Sequence, residues 1–316
     1  MNDELDRSTL KPQPQIVAIL GSGVWGTALG TLAARNRHEV RFHSRRSEGS
    51  WEDALASANL AVSAVSMSGV RPTIEQLQRL VLPPDLIIVS ATKGLDALSL
   101  QTPSRIWQAA FPQHPIVVLS GPNLSKEIDR GLPAATAVAS EDLEAAKRVQ
   151  TIFASESFRV YVNADPIGTE LGGTLKNIMA IAAGVCDGLN LGTNAKAALL
   201  TRALPEIIRV SAHFGATPST FYGLSGIGDL LATCNSPLSR NYQVGYQLAQ
   251  GKTLAEILEC LEGTAEGINT TEVLVRLAKA EKIEVPIAEQ VRRLLEGEIT
   301  PQQAVHSLME RELKAE

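Results

Sequence analysis

The sequence predicts an α/β chain: an open-sheet domain followed by a domain built from helices alone. Three observations carry this. Short apolar runs alternate with helical periods from Gln15 to Asn163. A glycine-rich turn joins the first run to the first helix. After Asp165-Pro166 no strand-like run recurs. The expected boundary therefore gives residues 15–164 to the first domain and 165–316 to the second. A chain of 316 residues that is 44% hydrophobic and 20% charged can bury a core in each.

Residues 1–14 are polar and proline-bearing, a loose tail with no signal or transit pattern. Gln15–Leu20 reads as a buried parallel strand, and Gly21-Ser22-Gly23-Val24-Trp25-Gly26 follows at once, before a helical run. Strand, GxGxxG and helix in that order make the fingerprint of a Rossmann-type dinucleotide-binding domain. Gly21 permits the tight turn, Gly23 lets a pyrophosphate approach the main chain, and Gly26 lets helix and strand pack closely. The free N–H groups at the helix start face the phosphates. Trp25, at the exposed edge, is placed to cover a cofactor. A plain glycine-rich turn would satisfy the bare pattern, but its flanks favour the dinucleotide.

His38–His43 is the next strand, and Ser44-Arg45-Arg46 ends it. An NAD-preferring site usually carries an acid here for the ribose 2′-hydroxyl. Guanidinium forks suit a 2′-phosphate instead. The expected preference is NADPH, with NADH allowed; a solvated basic turn is the alternative.

Alternation continues through a strand at Leu60–Ser66, a helix at Val70–Leu80, and a strand at Asp85–Ser90 that runs into Ala91-Thr92-Lys93-Gly94. A helix follows at Leu100–Ala110, then a strand at Pro115–Leu119 leading to Ser120-Gly121-Pro122-Asn123. Ala134–Ala139 and Phe158–Asn163 are strands around a helix at Glu141–Ile152. Ligands in open α/β sheets sit beyond the carboxyl ends of strands, where Lys93 and Gly121 fall.

In the helical half, Thr169–Leu189 has two unlike faces. Ile167, Leu171, Leu175, Ile178, Ala182, Val185 and Leu189 make an apolar stripe. Opposite lie Thr169, Gly172, Gly173, Lys176, Ala180, Ala183 and Asp187, one long cation among small groups. Each glycine in a helix costs about 1 kcal/mol against alanine, which close approach of a backbone or ligand would offset. A tight helix pair with Lys176 reaching water would use the same residues. Further helices are expected at 194–214, 230–234, 240–250, 254–261, 270–280, 286–296 and 301–313. The stretch Gly223–Thr233 is a glycine-rich loop entering a short helix at Asp229, either an N-cap or a partner for a lysine. Ser239 reads as the N-cap of a helix whose first turn holds Arg240 and Asn241, which suits an anion or is a plain surface cap.

The net charge of -5 without a basic run argues against nucleic acid as partner. Cys186, Cys234 and Cys260 lack ligand spacing, and the five histidines form no HxxxH pair, so no metal is expected. No apolar run nears the roughly 20 residues that span a bilayer. A cytoplasmic protein is the simplest expectation. A homodimer is compatible with the sequence.

The blocks GSGVWGTALG, ATKGL, SGPN, GTELGGTLKNIMAIAAGVCDGL, GLSGIGDLLATC and SRN, in this order, resemble the NAD(P)-dependent sn-glycerol-3-phosphate dehydrogenase family. The likeness runs from about Ile16 to the C-terminal helices. It implies reversible reduction of dihydroxyacetone phosphate, a small phosphorylated three-carbon substrate, in glycerophospholipid synthesis. It implies Lys176 as proton donor and acceptor, with Lys93 and Asp229 beside it. Substrate would lie on Lys93, Gly121, Asn123, Lys176, Asn177, Asp229, Thr233, Ser239, Arg240 and Asn241. Cofactor would lie on Val24, Trp25, Arg45, Arg46, Lys93, Ser125, Arg240, Thr264 and Glu266, besides the three glycines. Three places depart from the family pattern: a short stretch between Arg46 and Leu60, Asn123 where a small hydroxyl residue is usual, and Ser66-Met67-Ser68 without the usual proline. A two-domain reductase of ketopantoate or β-hydroxyacid type would share the architecture. A non-catalytic NADPH sensor would keep the glycine loop and need no lysine in a cleft.

Overall fold

The structure is a computed structural model and describes residues 13–44 and 49–312. Arg45 and Arg46, and most of the expected N-terminal tail, lie outside the described residues.

The N-terminal half alternates β1 (Ile16–Leu20), α1 (Val24–Arg35), β2 (Glu39–His43), α2 (Trp51–Leu55), β3 (Leu60–Ser63), α3 (Met67–Leu77) and β4 (Ile87–Ser90). It continues with α4 (Pro103–Ala110), β5 (Ile116–Ser120), α5 (Ser125–Asp129), β6 (Ala134–Ala139), α6 (Leu143–Phe153) and β7 (Phe158–Asn163). The sheet order is β2-β1-β3-β4-β5-β6-β7. Neighbours run parallel except β5 and β6, which are antiparallel. The sequence reading, plain β–α alternation, did not foresee that reversal. The link between β5 and β6 holds only the short α5. β1 has β2 on one side and β3 on the other, so the strand order switches at the end of β1, where the glycine turn sits.

The inner strands β1, β3, β4 and β5 are buried on both faces because helices cover both. Val17, Ile19, Val62 and Val89 pack with α1, whereas Ala18, Leu20, Ala61 and Ile88 pack with Val70, Ile74 and Trp107 on the other side. Boundaries moved modestly. The third strand stops at Ser63, and Ser66 precedes a helix starting at Met67, where a strand reaching Ser66 was expected.

The C-terminal half holds α7 (Pro166–Gly188), α8 (Gly192–His213), a 3₁₀ turn (Pro218–Tyr222), a π turn (Leu224–Gly228) and α9 (Asp229–Cys234). Then come α10 (Arg240–Ala249), α11 (Leu254–Cys260), α12 (Glu266–Glu281), α13 (Pro286–Leu295) and α14 (Pro301–Met309). Pro166 opens α7, and Asp165 caps it by accepting from the Gly168 N–H at 2.8 Å.

Helix α7 corrects the expectation of two unlike faces. It is buried nearly all round, the small-residue side included. Its stripe of Leu171, Leu175 and Ile178 joins a core with Ile207, Phe221, Leu274 and Val291. Its glycines admit neighbours. A Cβ on Gly172 would collide with the Ser225 carbonyl, and one on Gly184 with the Tyr242 carbonyl. Gly245 of α10 returns the contact against the Ile181 carbonyl, so α7 and α10 touch backbone to backbone. Gly245→Ala should therefore lower stability by about 1–3 kcal/mol, the range for overpacking a core. Urea melts of the two proteins measure it, and equal midpoints would contradict the close packing.

Among the described residues, no helix is long and apolar enough to cross a membrane. No group of His, Cys, Asp or Glu among them is arranged to hold a metal.

Candidate active site

The segment after β4 brings the first lysine to the cleft. Thr92 donates its hydroxyl to the Val65 carbonyl at 2.9 Å, and the Gly94 N–H donates to Thr174 Oγ1 of α7 at 3.1 Å. Between them Lys93 donates from Nζ to Asp229 Oδ2 at 2.6 Å and to the Gly121 carbonyl at 3.4 Å. Gly173 leaves room for this lysine: a Cβ there would lie 3.3 Å from Lys93 Cε and would overlap Ser120 Oγ.

Lys176 reaches the same carboxylate from α7, donating to Asp229 Oδ1 at 2.6 Å and to Thr233 Oγ1. Asp229 and Thr233 stand one turn apart on α9, and the Thr233 hydroxyl donates to Asp229 Oδ1 at 3.2 Å. Asp229 begins α9 and does not cap it, so of its two sequence readings the lysine partner is the one found. The Asp229 side chain is 1% exposed and that of Lys176 8%. Two ammoniums thus share one buried carboxylate, each on its own oxygen. Burial pulls the Lys176 ammonium down to about 8; Asp229 opposes this, and the nearby Lys93 charge adds to it. A lysine so placed holds a proton near neutral pH and can release it.

The other sequence-predicted residues spread around this pair. Ser239 caps α10, accepting from the Tyr242 N–H at 3.2 Å. Asn241 turns its side-chain oxygen to the Gly267 N–H at 2.9 Å, docking α10 on α12. Arg240 is exposed beside Gly263 and acts electrostatically on Glu266. Glu266 Oε1 accepts from the Met67 N–H at 3.4 Å, linking the starts of α12 and α3; burial pushes its carboxyl up. Thr264 is exposed just before α12, and Ser125 opens α5 half-buried. Asn123 donates to Thr136 Oγ1 at 2.9 Å, and its side-chain oxygen is buried without a hydrogen-bond partner among the described residues. Asn177 is buried on α7, its main-chain carbonyl against Gly267. Asp187 is not with the lysines: it accepts from Lys196 at 2.6 Å and from the Tyr242 hydroxyl at 2.7 Å. A cavity of about 900 Å³ opens beside that group, lined by Lys196, Leu200, Leu204 and Leu231, and contains neither Lys93 nor Lys176.

At the glycine turn, the Gly21 N–H donates to the His43 carbonyl at 2.8 Å, with Gly21 at φ +114°. A Cβ on Gly26 would strike the Gly21 carbonyl, whereas one on Gly23 would meet nothing within 4 Å among the described residues. Gly23 is the N-cap of α1 and brings no side chain to the first-turn N–H groups. Trp25 departs from its expected place at the exposed edge. It is half-buried, and its indole N–H donates to the Ala91 carbonyl at 3.2 Å; Val24 is the exposed residue.

A family model described as NAD-dependent glycerol-3-phosphate dehydrogenase N-terminus matches residues 16–52 and 48–146, and its C-terminus counterpart matches 165–306. A protein of Acaryochloris marina named glycerol-3-phosphate dehydrogenase (NAD(P)+) is 64% identical over 95% of this chain and 97% of its own length. One of Synechocystis with the same name is 62% identical over 96% and 95%. The chain belongs to the NAD-dependent glycerol-3-phosphate dehydrogenase family. The crystal structure of a glycerol-3-phosphate dehydrogenase from Coxiella burnetii superposes with a TM-score of 0.90 at 34% identity, covering 95% of this chain and all of that one. A ketopantoate reductase from Ralstonia eutropha has a TM-score of 0.56 at 15% identity, over 91% and 99%, a likeness of fold alone. Membership in the glycerol-3-phosphate dehydrogenase family sets aside the keto-acid and sensor readings.

Two residues around Lys93 and Lys176 escaped the sequence reading. Thr174 carried no signal of its own, because its bond to the Gly94 N–H joins segments far apart in the chain. Glu170 lies buried on α7; an acid inside so apolar a helix was the available signal.

Proposed function

We propose that this chain reversibly reduces dihydroxyacetone phosphate to sn-glycerol 3-phosphate with NADPH or NADH, and that Lys176 carries the proton. The observation behind this reading is the carboxylate of Asp229 shared by Lys93 and Lys176, with Lys176 buried and pulled down to about 8. The glycine turn fits a dinucleotide: no described residue lies within 4 Å of a Cβ on Gly23, where a pyrophosphate would lie, and the α1 N-terminus offers N–H groups beside it. Bound nicotinamide would supply the hydride to the carbonyl carbon.

Lys176 meets the carbonyl oxygen as negative charge grows there, stabilises it, and gives it a proton. It leaves the step neutral and regains a proton from water. Asp229 keeps both ammoniums aimed at one place, and Lys93 adds a second positive charge to the cleft. Thr233, Arg240 and Asn241 lie at the phosphate end, where a guanidinium fork and the α10 N-terminus favour an anion. The anchor sets the distance from phosphate to carbonyl, which selects a three-carbon chain. The division at residue 165, a cytoplasmic location and a homodimer complete the proposal.

Oxidation of NADPH and of NADH, followed at equal concentrations of dihydroxyacetone phosphate and of 2-keto acids, tests it. Turnover confined to the ketose phosphate is expected; turnover confined to the keto acids would sink it. Arg240→Ala should raise KM for dihydroxyacetone phosphate about 10–100-fold, the loss of a charge-assisted contact. KM for NADPH should change far less. Equal increases in the two would place Arg240 elsewhere.

A further inference from the structure

Glu170 is a carboxylate 2% exposed, and no ion pair among the described residues includes it. Such a group is costly to bury unless donors surround it. Its donors come from one segment. Oε1 accepts from Ser90 Oγ at 3.1 Å and from the Ser104 N–H at 3.0 Å; Oε2 accepts from Ser104 Oγ at 2.5 Å. Ser90 ends β4 and leads directly into Lys93, while Ser104 stands in the first turn of α4, beyond the same loop. One turn along α7, Thr174 holds the Gly94 N–H. The loop that carries Lys93 is thus tied to α7 before Lys93, just after it, and at its far end. The same helix carries Lys176.

We propose that Glu170 is a positioning residue: together with Thr174 it fastens the Lys93 loop to α7 and so sets how Asp229 is shared between the two ammoniums. It touches neither substrate nor cofactor. The role rests on the reading of Lys176 as proton donor.

Loosening the clamp lets Lys93 leave Asp229, and two effects on Lys176 then act in one direction. The carboxylate pairs more fully with Lys176, and repulsion from Lys93 weakens. Both hold the Lys176 proton more tightly. The groups acting on Lys176 are Asp229 and Cys234 of α9 and Lys93 of the loop. Helices α8, α10 and α12 also pack on α7, and none of their charged groups is among the leading influences on it. Those facing Glu170 are Ser90, Thr102 and Ser104.

The test compares wild type, Glu170→Gln, Glu170→Leu and the double variant Ser90→Ala/Thr174→Val in reduction of dihydroxyacetone phosphate over a range of pH. The double variant should lose about tenfold in kcat, as expected for a misplaced catalytic group. Its KM for NADPH should hold within about twofold, and the pH limb that reports Lys176 should move alkaline. Glu170→Gln keeps an acceptor oxygen and the length, so it should retain most of the activity that Glu170→Leu loses. If Glu170→Leu does not fold, the double variant decides. A folded double variant with unmoved kcat and pH limb overturns the proposal, as does a loss of kcat with the limb unmoved. Absence of turnover in wild type would bring down the reading of the reaction together with this one. Normal wild-type turnover with unmoved variants would bring down this one alone.

Discussion

Lys176→Met reduces turnover of dihydroxyacetone phosphate by at least about 10³-fold while NADPH binding stays within a few-fold of wild type. General acid catalysis is worth about 10²–10⁴-fold, and charge stabilisation by one aimed donor about 10²–10³-fold. One ammonium supplies both here, so the terms overlap and do not simply multiply. Methionine keeps the length and removes the charge, and Lys93 remains on Asp229. The glycine turn lies at the end of β1 and makes no use of Lys176. Single-turnover kinetics beside a fluorescence titration with NADPH give the two quantities; wild-type rates in the variant would end the assignment. The wild-type pH profile is linked to it. Ketone reduction needs Lys176 protonated, so its rate falls as pH rises through about 8, whereas alcohol oxidation needs the neutral amine and rises over the same range.

Asp229→Asn is expected to cost about 10²-fold in kcat and to move the Lys176 limb below about 8. The direction follows from the charges: Asp229 raises the Lys176 pKa, and burial and Lys93 lower it. Without the carboxylate only the lowering influences remain, so at neutral pH more Lys176 is a free amine with no proton to give. Removing one partner of a buried pair also destabilises by about 3–5 kcal/mol. Urea melts therefore accompany the pH profile, taken where both proteins are folded. A limb that stays in place, or moves alkaline, would contradict the shared carboxylate.

The fold was legible where periodicity is strong. The strands from β1 to β7 and the helices from α7 to α14 lie within a few residues of their expected places, because burial on one stripe or on both faces leaves a periodic trace. The reversal at β5–β6 left none, because the apolar pattern of a strand is the same in either direction. The uniform burial of α7 was also hidden. Its glycine side looked like space for a ligand, but much of that space is filled by the backbones of the π turn and α10. Trp25 looked exposed by its place in the turn, yet the Ala91 carbonyl, far along the chain, takes its N–H.

By itself the sequence determined the α/β class and the helical second half, and it singled out the glycine turn, Lys93, Lys176 and Asp229 as candidates, since spacing and side-chain chemistry are local properties. Tertiary structure alone decided that these three form one group. Asp229 lies 136 residues from Lys93 and 53 from Lys176 along the chain. Only packing of α9 and the β4 loop on α7 sets them 2.6 Å apart. The same packing strips water from Lys176 and brings it to about 8. That value belongs to the assembled cleft, because desolvation requires neighbours from several elements at once.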